Sequence, residues 1–131
     1  MTTFTIDTRQ RSELVEITAQ VRAAIGAGGI AEGLAVVYTP HTTAAITINE
    51  NADPDVATDL NAALDRLVPL HGPYRHAEGN SAAHVKCSLV GVSETLIVQG
   101  GTPLLGTWQG VYLCEFDGPR RRQVQVRVIS A

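Results

Sequence analysis

The sequence is short of most features that would announce a function at once. It has two cysteines in 131 residues, Cys87 and Cys114, and neither belongs to a CxxC pair. That excludes a disulfide framework and a Cys/His finger. No apolar run approaches the roughly 20 residues that a membrane helix needs. Met1 to Gln10 lacks the cationic start and apolar stretch of a secretory signal, so the cytoplasm is the expected location. The phosphate-cradling patterns GxGxxG and GxxxxGK[ST] are missing, as are HExxH and GxSxG. Lysine occurs once, at Lys86. The net charge of −3 offers no general attraction for nucleic acid or an anionic membrane. Arg120, Arg121, Arg122 and Arg127 do place four of the ten basic residues in the last twelve positions. That run reads as a solvated strand edge or a subunit contact.

What is present describes a globular chain. Apolar residues make up 44% and charged residues 18%, which argues against disorder. A domain of this length buries about two-thirds of the surface its unfolded chain exposes. With no repeat and no linker, residues 1–131 read as a single domain.

Periodicity supplies the elements. Thr3 to Thr8 alternates as a strand, and Leu14, Val15 and Ile17 read as its hairpin partner. Ile17, Val21, Ala24 and Ile25 fall at helical spacing, with Thr18 as the N-cap and Gly26 to Gly29 as the stop. Leu34 to Tyr38 and Ala44 to Glu50 read as strands separated by Pro40. Asp53 then caps a helix whose first residue is Pro54, with Val56, Leu60, Ala63, Leu64 and Leu67 on one apolar face and Pro69 as its end. Leu70 to Asn80 has no period and reads as a loop. Ser81 to Val90 fits a strand or a helix; Asn80 and Ser81 as caps and Gly91 as a stop favour the helix. Three strands follow: Glu94 to Val98, Trp108 to Phe116, and one defined by Val124, Val126 and Val128. Trp108 to Phe116 is apolar on both parities and therefore central, with Trp108 in the core. Gly100-Gly101 and Asp117-Gly118-Pro119 are turn signals. Without regular βαβ alternation, the fold class is α+β with mostly antiparallel strands and two or three helices.

All four histidines fall between residues 41 and 84. Neutral imidazole is a common zinc ligand, and a catalytic site often offers three protein ligands and an open position. The spacing of His41, His71, His76 and His84 is not diagnostic of that, and separately hydrogen-bonded histidines are the competing reading. Asn49, Glu50, Asn51 and Asp53 cluster at a strand-to-helix junction, where polar residues often serve as turn and cap. Glu50 shares a parity with Ile46 and Ile48 and needs a partner if that face is buried. Gln109 and Glu115 also share a parity, but about 20 Å of strand separates them, too far to line one pocket.

Three segments carry a resemblance: HTTAAITINENADP (His41 to Pro54), YRHAEGNSAAHVKCSLVG (Tyr74 to Gly91) and GTWQGVYLCEFDGPRRR (Gly106 to Arg122). On these strings, with the strand pattern between them, the sequence resembles the YjbQ family, whose members are also called secondary thiamine-phosphate synthase enzymes. The resemblance implies an α+β sandwich assembled as a homotrimer, with histidines gathered near a subunit boundary. His41, His76 and His84 match motif histidines and become the expected ligands of a divalent, zinc-like ion; His71 lies outside the motif. Glu50 and His84 are the expected proton carriers. Asn49, Arg75, Lys86 and Gln109 are the expected substrate contacts, with Arg75 and Lys86 meeting an anion. The implied reaction joins a pyrimidine pyrophosphate to a thiazole phosphate, as a side activity of an enzyme for a small phosphorylated metabolite. The alternative is a non-catalytic trimer that binds a metal or phosphate. Neither reading involves nucleic acid or a membrane.

Overall fold

Side chains two apart on a strand share a face, and in this chain those faces assemble two antiparallel sheets. The computed structural model describes all 131 residues. Its strands are β1 (Thr2–Asp7), β2 (Glu13–Glu16), β3 (Glu32–Tyr38), β4 (Ala44–Glu50), β5 (Ser93–Gln99), β6 (Thr102–Pro103), β7 (Gln109–Glu115) and β8 (Arg121–Ser130). The helices are α1 (Thr18–Ala27), α2 (Pro54–Leu67) and α3 (Ser81–Val90). One sheet runs β1-β8-β3-β5-β6 and the other β2-β7-β4, which is the expected α+β architecture. Val37, Val98 and Val126 of the larger sheet share a core with Ile46 and Leu113 of the smaller one, joined by Val21 and Ile25 of α1. The other face of the smaller sheet packs Ala45, Cys114 and Phe116 against Ala83 of α3, with Leu64 of α2 alongside. β7 therefore has both faces covered and is central, as its double-parity apolar pattern requires. No helix is long and apolar enough to cross a membrane.

Several local expectations hold. Asp53 caps α2 by accepting the N–H of Asp55 at 2.9 Å, and Pro54 opens the helix. Ser81 to Val90 is a helix, and Gly91 ends it with a φ of 97°, a conformation that suits glycine.

Others are corrected. β2 is no hairpin partner of β1: β1 pairs with β8 and β2 with β7. Thr18 is not the N-cap of α1 but its first residue, because its hydroxyl is already committed. That oxygen accepts the N–H of Val111 at 2.9 Å and donates to Glu16. Trp108 is not core. It lies in the turn before β7 and is 62% exposed, so the strand begins one residue later than its apolar pattern indicates. Four strands follow α3 rather than three, the added one being the two-residue β6. The apolar stripe of α2 is only half covered: no residue of that helix is fully buried and Leu67 is 75% exposed. Polar contacts hold it instead. Ser12 donates to Asn61 at 2.5 Å, and Asp65 bonds both Arg11 and Lys86.

Candidate functional site

The loop before α3 turns back over that helix and sets His76 against His84. Their ring centroids are 5.5 Å apart and their planes meet at 87°. With Ser81 and Val85 they line an open pocket of about 310 Å³. The spacing has chemical content. Two imidazoles bound tetrahedrally to one ion through N–metal bonds of about 2 Å would hold their centroids roughly 5 Å apart. The spacing is compatible with two ligands of one ion, and equally with an ordinary edge-to-face ring contact. Glu78 stands 3.8 Å from Nε2 of His76. No third His, Cys, Asp or Glu of the same chain joins the pair at metal-binding distance.

His41 is therefore not gathered with the other two. It follows β3, and its Nε2 accepts the backbone N–H of Gln123 at 3.0 Å. Its pKa is lowered, first by burial and then by the positive charge of Arg122, with Arg120 adding to this and Glu115 opposing it. The ring is thus held neutral, with Nδ1 carrying its proton.

Beneath His41 lies a polar network that the sequence reading overlooked. Glu115 is fully buried and Arg122 is 2% exposed. Nε of Arg122 donates to Glu115 at 2.8 Å, and Nη2 donates to Glu115 at 2.5 Å and to Oγ1 of Thr43 at 2.8 Å. Glu115 also accepts from the hydroxyl of Thr8 and the N–H of Asp117. Burial pushes its carboxyl up, but the bonds and charge of Arg122, with the other two donors, leave it below the ordinary glutamate range. Arg122 is therefore no solvated edge residue. The signal was available: Arg122 shares its β8 parity with Val124 and Val126, which points it inward and requires an acidic partner.

The remaining expected residues separate into other regions. Asn49, Glu50 and Gln109 do come together, because Glu50 pairs with Gln109 across β4 and β7. His41 and the buried ion pair lie toward the opposite end, where Ala44 pairs with Glu115; six residues of strand amount to about 20 Å. Asn49 is exposed and bonds the N–H of Glu50, while exposed Gln109 accepts from Gly106 at 2.8 Å. Glu50 is half-buried, and its carbonyl accepts from Tyr112. Arg75 is exposed beside His76, and His71 is exposed further back in the same loop. Lys86 is 1% exposed, ion-paired with Asp65, and its ammonium lies 5.5 Å from the centre of the Phe116 ring. That arrangement occupies the ammonium inside the protein and ties α3 to α2. Both thiols are buried: burial raises Cys87 and pushes Cys114 up to about 12, so neither is a ready thiolate at neutral pH.

Fold and site together define a class: a two-sheet α+β sandwich that carries an open pair of histidines at the start of a surface helix. Within that class the chain belongs to the YjbQ/UPF0047 family, whose model, described as UPF0047 protein YjbQ-like, matches residues 2–131. A UPF0047 protein of Methanocaldococcus jannaschii is 53% identical over 127 residues, covering 97% of this chain and 92% of the relative. UPF0047 protein YugU of Bacillus subtilis is 50% identical over 129 residues, covering 98% of each. The crystal structure of an uncharacterised YjbQ/UPF0047 family protein from Clostridium acetobutylicum superposes with a TM-score of 0.96 at 49% identity, covering 98% of this chain and 100% of that one. A YbjQ-like protein of unknown function from Sulfolobus solfataricus gives 0.95 at 28% identity, with 99% and 96% covered.

Proposed function

We propose that this protein is an enzyme for a small phosphorylated metabolite, with a divalent, zinc-like ion held by His76 and His84. One observation carries the reading: the two rings stand 5.5 Å apart in an open pocket, close to the spacing that two ligands of one ion adopt. Thiamine-phosphate synthesis, the joining of a pyrimidine pyrophosphate to a thiazole phosphate, is the specific reaction we assign as its side activity. A bound divalent ion supplies Lewis-acid charge, which a departing pyrophosphate needs. His76 and His84 hold the centre, while Ser81 and Val85 form its walls. Arg75, exposed and adjacent to His76, is free to meet an anionic group. Proton transfer falls to a histidine rather than to Glu50, which lies at the far end of β4 from Ala45, where Ala83 of α3 packs.

The proposal includes a homotrimer. In its support, Leu34 stands opposite both Ile97 and Ile129 on the larger sheet, and these three are 41%, 55% and 51% exposed. A row of apolar side chains of this kind favours association. Val85 and Leu89 are also exposed on α3 beside the histidine pair. A second copy covering that helix would exclude water from the pocket and offer further ligands.

Elemental analysis of protein purified without an affinity tag tests the reading. About one divalent ion per chain is expected, lost in His84→Ala together with formation of thiamine phosphate from the two precursors. Metal-free protein overturns it. Protein that keeps its metal but turns over no phosphorylated substrate supports the non-catalytic module instead.

A further inference from the structure

Arg122 uses only part of its guanidinium inside the fold. Nε and Nη2 are taken by Glu115 and Thr43, whereas Nη1 carries no hydrogen bond. Asn80 Oδ1 is the one fully sealed polar side-chain atom without a partner, so Nη1 keeps a small solvent contact although Arg122 as a whole is 2% exposed. Glu115 is fully buried and its two oxygens are filled by Arg122, Thr8 and Asp117. The ion pair is thus a fixed dipole in which Nη1 of Arg122 is the one donor nitrogen left without a partner. Arg120 and Arg121 differ from it, since they make exposed pairs with Asp117 and Asp7.

His41 lies against the same stretch of β8. Its Nε2 accepts from Gln123, the residue after Arg122, and Thr43, two positions beyond His41, takes Nη2 of Arg122. With the Nε2 lone pair committed, the neutral ring offers Nδ1–H as a donor. A metal would have to break the bond to Gln123 or displace the Nδ1 proton. Two donors, one on a rigid guanidinium and one on an oriented imidazole, suit an oxyanion.

We propose that His41 and Arg122 hold a phosphoryl oxygen of the substrate, and that His41 donates from Nδ1 instead of ligating metal. This rests on the reading of the protein as an enzyme for a phosphorylated metabolite, and it gives the anion-binding role expected of Lys86 to Arg122. Burial and positive charge depress the basicity of His41 and keep a second proton off the ring, while the bond from Gln123 to Nε2 leaves the one ring proton on Nδ1.

The experiment is a titration of inorganic phosphate into metal-free protein, followed by NMR of the imidazole and guanidinium nitrogens. His41 is expected as the Nδ1–H tautomer, and its signals and those of Arg122 should move on one binding curve. His41→Ala should weaken phosphate about tenfold, the loss of one charge-assisted hydrogen bond. His84→Ala should leave the affinity within about twofold, as for an independent site. An unchanged affinity in His41→Ala overturns the proposal. So does a zinc titration that moves His41 together with His76 and His84, or acetate that binds as tightly as phosphate. Because the phosphate measurement is made without metal, its failure is separate from that of the metal reading, which the ion content of untagged protein decides.

Discussion

Two polar centres stand near the same end of the smaller sheet, and they are built in opposite ways. Glu115 and Arg122 are buried, locked by Thr8, Thr43 and the N–H of Asp117. His76 and His84 meet edge-on, with Glu78 near His76, in a pocket open to solvent. The first centre spends both oxygens of Glu115 and two of the three guanidinium nitrogens of Arg122 on the fold. The second leaves ring nitrogens free for something that the fold does not provide. Stability and metal binding are thus divided between neighbours, and substitutions at Glu115 and at His84 should affect one without the other.

The largest expected effect comes from opening the closed centre. Glu115→Ala leaves the Arg122 guanidinium buried without its carboxylate, which should cost about 3–5 kcal/mol. Denaturant unfolding measures it. The double change Glu115→Met with Arg122→Met should recover much of that loss, since replacing both charges by apolar groups removes the desolvation penalty. If the single and double variants are equally unstable, the pair is not what holds this region.

The next effect belongs to the polar latch of α2. Asp65→Ala strands Lys86, which is 1% exposed, and releases Arg11. We expect about 2 kcal/mol, below the range for a sealed pair because the carboxylate of Asp65 is itself partly exposed. Hydrogen exchange should quicken first in α2, which has no fully buried residue of its own.

Acid gives a smaller, graded version of both. Burial raises Asp65, yet its bond to Lys86 and the charges of Lys86 and Arg11 leave it below the ordinary aspartate range; Glu115 is likewise depressed through Arg122. Carboxyls with lowered folded pKa values bind fewer protons folded than unfolded. Their contribution is fully present above the unfolded pKa, near pH 4, and is lost as pH falls through the folded values. Urea midpoints should decline below about pH 4, and less steeply in Asp65→Asn than in the parent protein.

These contrasts also show which features were legible in the residues. Asp53-Pro54 and Gly91 declared their helix ends because capping and positive φ are local chemistry. The double-parity apolar run made β7 central for a similarly local reason. Strand pairing was not legible: β1 closes on β8 across more than a hundred residues, and nothing near β1 specifies that partner. Trp108 misled because apolar character identifies a strand better than it identifies the residue where the strand starts. Motif histidines were found, but a motif says nothing of approach, and only the return of the loop over α3 distinguishes His76 and His84 from His41. Arg122 was legible through its parity with Val124, yet its place in an arginine run suggested a solvated residue.

The smallest expected effect on stability is the one that bears most on function. His84→Ala removes a half-buried ring that makes no hydrogen bond within the fold and touches His76 edge-on. Metal-free protein should change by no more than about 0.5 kcal/mol, as for substitutions away from core packing and buried polar groups. Metal content and turnover should both fall. In metal-loaded protein the parent should gain thermal stability that the variant lacks, because an ion that binds only the folded state stabilises it by mass action. A variant that loses several kcal/mol without metal would place His84 in the same category as Glu115, and the division between a closed structural centre and an open chemical one would fail at its most exposed residue.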